Sequence, residues 1–140
     1  MAEIHLKTFE FDGSTWRVDF VENMQVKDGV VCDVYKFTED DSKDLAIVRV
    51  EAGSATPLQK ILLGDRTIEG YVSGKGVLTI TRANGEKEVY QVGNDDMQEP
   101  FSKVLMIGDT MQWQADKIGE LVFYEVCFPP YKDGRFEDIA

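Results

Sequence analysis

Glu69 and Tyr71 stand two residues apart in the run Thr67–Ser73, TIEGYVS. In an extended strand, residues i and i+2 share a face. If that face is inward, a carboxylate and a phenol enter the same enclosed space. A glutamate with a pKa raised by burial can act as a general base, with the phenol beside it to move a proton. Metal chemistry has less to work with. A stable divalent site takes three or four His, Cys or carboxylate ligands that converge on one point. The chain has one histidine, His5, near one end, and two cysteines, Cys32 and Cys127. Cys127 lies in an apolar run and reads as a small buried hydrophobe. A cation site built from Glu69, Glu125 and Gln59 is the remaining arrangement, and the expectation is no metal and no cofactor.

The elements that must position these residues are short strands. Apolar residues alternate at period two in Val30–Phe37, Leu45–Glu51, Thr67–Ser73, Val77–Thr81, Lys87–Val92, Val104–Ile107, Thr110–Gln114 and Glu120–Phe128. Their Val, Ile, Tyr, Phe and Thr content suits a half-buried pleated surface. Between them fall Asp12-Gly13, Asp28-Gly29, Gly64-Asp65, Asn84-Gly85, Gly93-Asn94 and Gly108-Asp109, all turn-forming pairs. Asn84-Gly85 and Asp28-Gly29 predict hairpins, because a tight hairpin turn needs positive φ. No segment holds a helical period over three turns. Glu39–Asp44 reads as a charged loop, and Asn94–Ser102 as a loop with at most one helical turn. Evenly spaced short strands with Gly-rich turns imply an antiparallel sandwich or barrel.

Composition narrows the function classes. A chain of 140 residues that is 43% hydrophobic is long enough for one domain with a real core, spanning 1–140. The formal charge of −11 gives a surface that repels nucleic acid and anionic lipid. The apolar runs Leu45–Val48 and Leu121–Tyr124 are too short to cross a bilayer. The N-terminal MAEIHLKTFEF lacks the apolar stretch of a secretion signal. Two cysteines fit a reducing cytoplasm, so the expectation is a cytoplasmic protein with free thiols. The acidic Asn94–Glu99 does not have calcium-loop spacing. Gly74-Lys75-Gly76 is a hairpin turn, since no Ser/Thr or helix follows it as a phosphate loop requires.

The stretch Gly53–Ile80, GSATPLQKILLGDRTIEGYVSGKGVLTI, resembles the first signature motif of the cupin β-barrels. That motif runs glycine, five residues, His-x-His, three or four residues, Glu, six residues, glycine. Gly53 opens it here and Gly74 closes it, and the ligand positions read Gln59, Ile61 and Thr67. The run Gly108–Gly119, GDTMQWQADKIG, is similar to the second motif, with Gln114 at the usual proline, Asp116 at a glycine and Gly119 at the histidine. Leu121–Tyr131 is similar to a last barrel strand, stopped by Pro129-Pro130 because proline cannot donate to a ladder. The resemblance spans about residues 44–131. It implies an all-β, antiparallel double-stranded β-helix: a jelly-roll barrel of the RmlC-like cupin type. It also implies a homodimer, with Ile4–Phe11 and the apolar outer strand residues as contact surface.

Three functional readings follow. In the first, the barrel binds a small polar organic molecule, such as a sugar or a carboxylated metabolite, without the usual histidine-held metal. By strand alternation its lining would be Gln59, Ile61, Thr67, Glu69, Tyr71, Trp113, Phe123 and Glu125, with Trp113 an aromatic wall. In the second, the chain is an isomerase- or lyase-type enzyme with Glu69 and Tyr71 as its catalytic pair. In the third, it is a structural or regulatory dimer with a filled barrel. Partners other than a small ligand and a second copy, nucleic acid and membrane included, are not expected.

Overall fold

The computed structural model of the chain describes residues 5–132 and 134–139. Ile4, part of the expected contact run, lies outside them. The described strands are β1 (Thr8–Phe11), β2 (Ser14–Lys27), β3 (Val30–Phe37), β4 (Asp40–Val50), β5 (Gln59–Ile61), β6 (Arg66–Ser73), β7 (Gly76–Thr81), β8 (Lys87–Val92), β9 (Ser102–Leu105), β10 (Thr110–Ala115), β11 (Leu121–Phe128) and β12 (Phe136–Asp138). No helix occurs among the described residues. One sheet runs β1-β2-β3-β4-β11-β6-β9 and the other β12-β5-β10-β7-β8. Every paired neighbour is antiparallel.

The two sheets enclose an apolar interior. Val30, Cys32, Val48, Val50 and Phe123 from the large sheet meet Leu78, Ile80, Met111 and Trp113 from the small one. Strands β3 and β4 are buried on both faces, which explains their nearly unbroken apolar runs. Tyr35, Phe37, Leu45 and Ile47 point outward, into a second cluster with Val18, Phe11 and Val126. The chain's own β1–β2 hairpin covers this outer face. Phe9 meets Tyr124 edge-on at 5.0 Å and Trp16 meets Phe37 at 5.7 Å. Apolar outer residues expected to contact a partner are thus, in this part, in contact within the chain. Strand β2 serves both faces. Its pairing with β3 slips between Phe20 and Glu22, and a bulge of this kind bends and twists a strand.

One loop expectation needs correction. Glu39–Asp44 is no charged loop: β4 begins at Asp40. Lys43 is buried there, its ammonium 3.7 Å from the Trp16 ring centroid and bonded to Asp40. An apolar stem and a cation–π contact let a lysine occupy a buried strand position. Residues 94–101 form a loop, as expected, and β9 begins at Ser102. Met97 packs against the interior cluster, and its Sδ accepts from the Gly93 amide at 3.4 Å.

The Asp28-Gly29 and Asn84-Gly85 hairpins form as expected, each glycine with positive φ. The Gly108-Asp109 turn is pinned by its buried carboxylate. Asp109 accepts from the amides of Ala83 and Met106, both at 2.9 Å, and from Arg82 Nη1 at 3.0 Å.

Gly70 on β6 is paired with Tyr124 on β11, and the phenol ring lies where a side chain would stand. A Cβ added at Gly70 would fall 2.0 Å from Tyr124 Cζ. Gly70→Ala is expected to lower stability by about 1–3 kcal/mol, as overpacking does. Combining it with Tyr124→Val should recover much of the loss. Urea midpoints of the four proteins in this cycle measure the coupling; simple additivity would show that ring and glycine are independent.

Candidate functional site

Strands β6 and β11 lie side by side with Thr67 opposite Cys127, Glu69 opposite Glu125 and Tyr71 opposite Phe123. Alternation turns all six toward the interior. From the facing sheet, Trp113 on β10 stacks on Phe123 at 4.5 Å with the rings 9° from parallel. The indole Nε1 donates to Glu69 Oε1 at 2.9 Å. Glu69 is fully buried, and its Oε2 has no donor among the described residues.

The neighbour that completes Glu69 is Glu125. Burial pushes the Glu69 carboxyl well above its usual range. The negative charge of Glu125 raises it further, and the Trp113 indole pulls only weakly the other way. Two facing carboxyls in a poor dielectric cannot both ionise. Glu69 is therefore held neutral, and its carboxyl is hydrogen-bonded to the half-buried Glu125. The same surroundings act on nearby groups. Asp44, half-buried on β4, is raised to about 6 by burial and by Glu125, although the Tyr131 amide donates to it at 2.9 Å. Cys127 lies with Sγ 3.7 Å from Glu125 Oε1. Its thiol is pushed far up by burial and adjacent carboxylates, and that of Cys32 to about 11. Both are inert thiols at neutral pH.

One cation stands near this acidic group and was not singled out from sequence. Arg135 is buried, with Nη2 donating to Arg66 O at 2.7 Å and Thr67 Oγ1 at 3.0 Å, and Nη1 to Pro129 O at 3.0 Å. Gly64 makes room for it: a Cβ there would sit 2.3 Å from Arg135 Nη1. The Gly64-Asp65 turn was legible, but no local pattern announces that an arginine 71 positions on would fill it.

A cavity of about 640 Å³ opens beside Glu125. Its wall includes Glu22, Asp44, Gln59, Phe123, Glu125 and Cys127. Of the residues expected to line a site, Gln59, Phe123 and Glu125 reach it. Glu69 and Trp113 stand behind it, in the core. Ile61 is a core residue as well, and Thr67 is fully buried against Arg135. Tyr71 shares the Glu69 face but is not brought to this cavity. Its hydroxyl donates to Gly74 O at 2.7 Å, and it borders a different hollow. That hollow, about 1020 Å³, is a wider groove on the outer face between the β1–β2 hairpin and β9. It is the larger of the two, yet the carboxyl pair is not on it.

The histidine-replacing positions do not fit a divalent metal. Gln59 lies on the small sheet and Thr67 on the large one. Gln59 Nε2 donates to Asp138 at 3.1 Å, Ile61 has no donor atom, and Thr67 Oγ1 accepts from Arg135. Among the described residues, no three His, Cys, Asp or Glu side chains converge as a metal site would need. His5 stacks on Phe20 with ring centroids 3.6 Å apart, away from the carboxyl pair.

No family profile and no curated protein matches the chain. Solved structures do. The capsular polysaccharide assembling protein CapF from Staphylococcus aureus aligns with a TM-score of 0.66 at 15% identity, over 91% of this chain and 34% of CapF. A cupin-2 domain protein from Rhodospirillum rubrum aligns at 0.64 and 13% identity, over 94% and 79%. PAC13 from Streptomyces, solved as a variant with uridine, aligns at 0.59 and 16% identity, over 85% and 84%. The chain thus spans about a third of the length of CapF. At such identities the likeness is one of architecture, and with the two-sheet topology above it establishes that this chain has the cupin fold.

Proposed function

We propose that this cupin-fold chain binds one small polar organic molecule in the cavity beside Glu125. The observation that supports this most is the carboxyl pair: a half-buried Glu125 at the cavity wall, backed by a fully buried Glu69 with an undonated oxygen. Polar groups placed in an otherwise apolar wall are how concave sites orient a ligand. Gln59 adds a carboxamide, and Phe123 adds a ring fixed from behind by Trp113. That a PAC13 variant was solved with uridine fits a fold that takes small polar ring compounds.

The test is a titration of isotope-labelled protein with a metabolite library of neutral sugars, nucleosides, amines and carboxylates. Amide and side-chain shifts are expected at Gln59, Phe123 and Glu125. Ala46→Phe, which fills the cavity from β4, should abolish them while leaving the rest of the spectrum intact. Shifts confined to other surfaces, or binding that survives Ala46→Phe, would remove the cavity as the site.

A second reading, an isomerase or lyase, is favoured by one feature, the proton held between Glu69 and Glu125. A carboxyl pair with separated proton affinities is how one site can both take and give a proton. In this geometry Glu125 is the member exposed to a substrate, Glu69 stands behind it, and Tyr71 is held by Gly74. Turnover lost in Glu69→Gln with binding retained would favour the enzyme; unaltered turnover would exclude that role.

A further inference from the structure

Resting on the cavity being a ligand site, we infer that its ligand is an organic cation: an ammonium or guanidinium group on a small apolar or aromatic body. Glu22 stands at the mouth, and Asp44 and Glu125 are half-buried within. Behind them Glu69 has a fully buried oxygen to which no group among the described residues donates. The charged groups that face Glu125 are thus Glu69 on β6, Asp44 on β4 and Glu22 on β2, with the thiols of Cys127 and Cys32 beside them. Positive charge is scarce. Lys132 is exposed at the rim. Arg135 is buried, and its terminal nitrogens are occupied by the carbonyls of Arg66, Phe128 and Pro129 and by Thr67. No arginine is among the described residues that line the cavity.

An anionic ligand would therefore enter a wall of its own sign. A neutral polyol would find acceptors but only a few donors. An ammonium supplies three donors and no acceptor, which is the complement of Glu125, Asp44 and the Gln59 carbonyl. It would also favour release of the proton that the buried Glu69 holds, because a positive neighbour stabilises the carboxylate. The rest of the wall suits the organic part. Val30, Val48 and Phe123 line it, and Phe136, stacked with Tyr131 at 5.9 Å, closes one side. Ring faces beside carboxylates are a recurring arrangement for organic ammonium groups. A bare metal ion fits poorly, since no three ligands converge among the described residues.

Benzylamine, benzyl alcohol and benzoate are similar in size and differ in charge. Calorimetric titration of the intact chain with each, at pH 7.5 and low salt, reads the preference directly. Benzylamine is expected to bind at least about tenfold more tightly than benzyl alcohol, with benzoate weakest. Its binding should release protons, seen as a heat that differs between phosphate and Tris buffers. Glu125→Gln should bring the amine down to the level of the alcohol. Asp44→Asn serves the same comparison if the first variant does not fold. Equal affinity for amine and alcohol, or a preference for benzoate, overturns the cation assignment and leaves the cavity as a ligand site. No binding by any of the three overturns it too, and the library titration then decides separately whether the cavity binds anything.

Discussion

Trp113→Ala is expected to lower folding stability by about 3–5 kcal/mol, the range for deleting a large buried aromatic. Trp113 is only 1% exposed and lies flat against Phe123 in the centre of the barrel. Removing the indole opens a hole between the sheets and takes away the one hydrogen bond that Glu69 Oε1 receives from it. The two losses can be separated. Trp113→Phe keeps most of the stacking and removes only the donor, so about 1–3 kcal/mol is expected. In a Glu69→Leu background, where no carboxyl needs a donor, Trp113→Phe should cost clearly less. Urea midpoints of these variants at one pH give the numbers. A Trp113→Ala protein with a wild-type midpoint would mean that the indole is not part of the core described here.

Glu69→Gln is expected to change how stability depends on pH more than any other single substitution. The sign follows from the direction of the shift. Glu69 is raised well above its ordinary value in the folded chain, mainly by burial and then by Glu125. Between its unfolded and folded pKa values, the folded state holds the proton more tightly, so stability is fully present below about pH 4.5 and falls as pH rises. Asp44, raised to about 6, adds a loss of the same sign between its unfolded value of 3.8 and about 6. Each group can contribute a slope of up to about 1.4 kcal/mol per pH unit. Glu88 works in the opposite sense. Arg82 and Tyr90 hold it down to about 2, so its contribution is present above pH 4.5 and lost on strong acidification. The raised Glu69 and Asp44 thus move the pH of maximum stability toward the acid side. A glutamine at position 69 still accepts from Trp113 and offers an NH₂ to Glu125, with no charge to bury. Denaturation from pH 4.5 to 8.5 at constant ionic strength should show the Glu69→Gln curve flattened and lying above wild type at the alkaline end. The net charge of −11 also weakens the fold as pH rises, but salt screens that part and the substitution hardly alters it. Parallel curves for the two proteins would refute a neutral, buried Glu69.

What could be read in the sequence, and what could not, divides along the range of the interaction. Alternation in Val30–Phe37 or Thr67–Ser73 is local, so the strands, their turns and the inward face carrying both Glu69 and Tyr71 were legible. The stop at Pro129 was legible too, because proline acts on its own backbone. Strand register is not local. That Glu69 meets Glu125, 56 positions away, depends on how β6 pairs with β11, and nothing near either residue specifies it. The same limit hid Arg135, whose place is set by Gly64 on another segment. Motif spacing placed Gln59 and Thr67 as if they shared a site, whereas the chain crosses between sheets in the Leu62–Asp65 turn and separates them. Charged strand ends such as Asp40–Asp44 read as loop because their partners, Trp16 among them, are distant in sequence.

The strand order β4-β11-β6 has a consequence in time. β11 lies between two strands that precede it by many residues, and it supplies the hydrogen bonds that close both of their inner edges. Until residues 121–128 insert, β4 and β6 each carry an open edge rich in Val and Ile, the kind of surface on which chains add to one another. The central seam that brings Glu69 to Glu125 thus cannot close until residues 121–128 are present, late in the chain. While that seam is open, dilution or a chaperone is expected to keep such edges from pairing between chains.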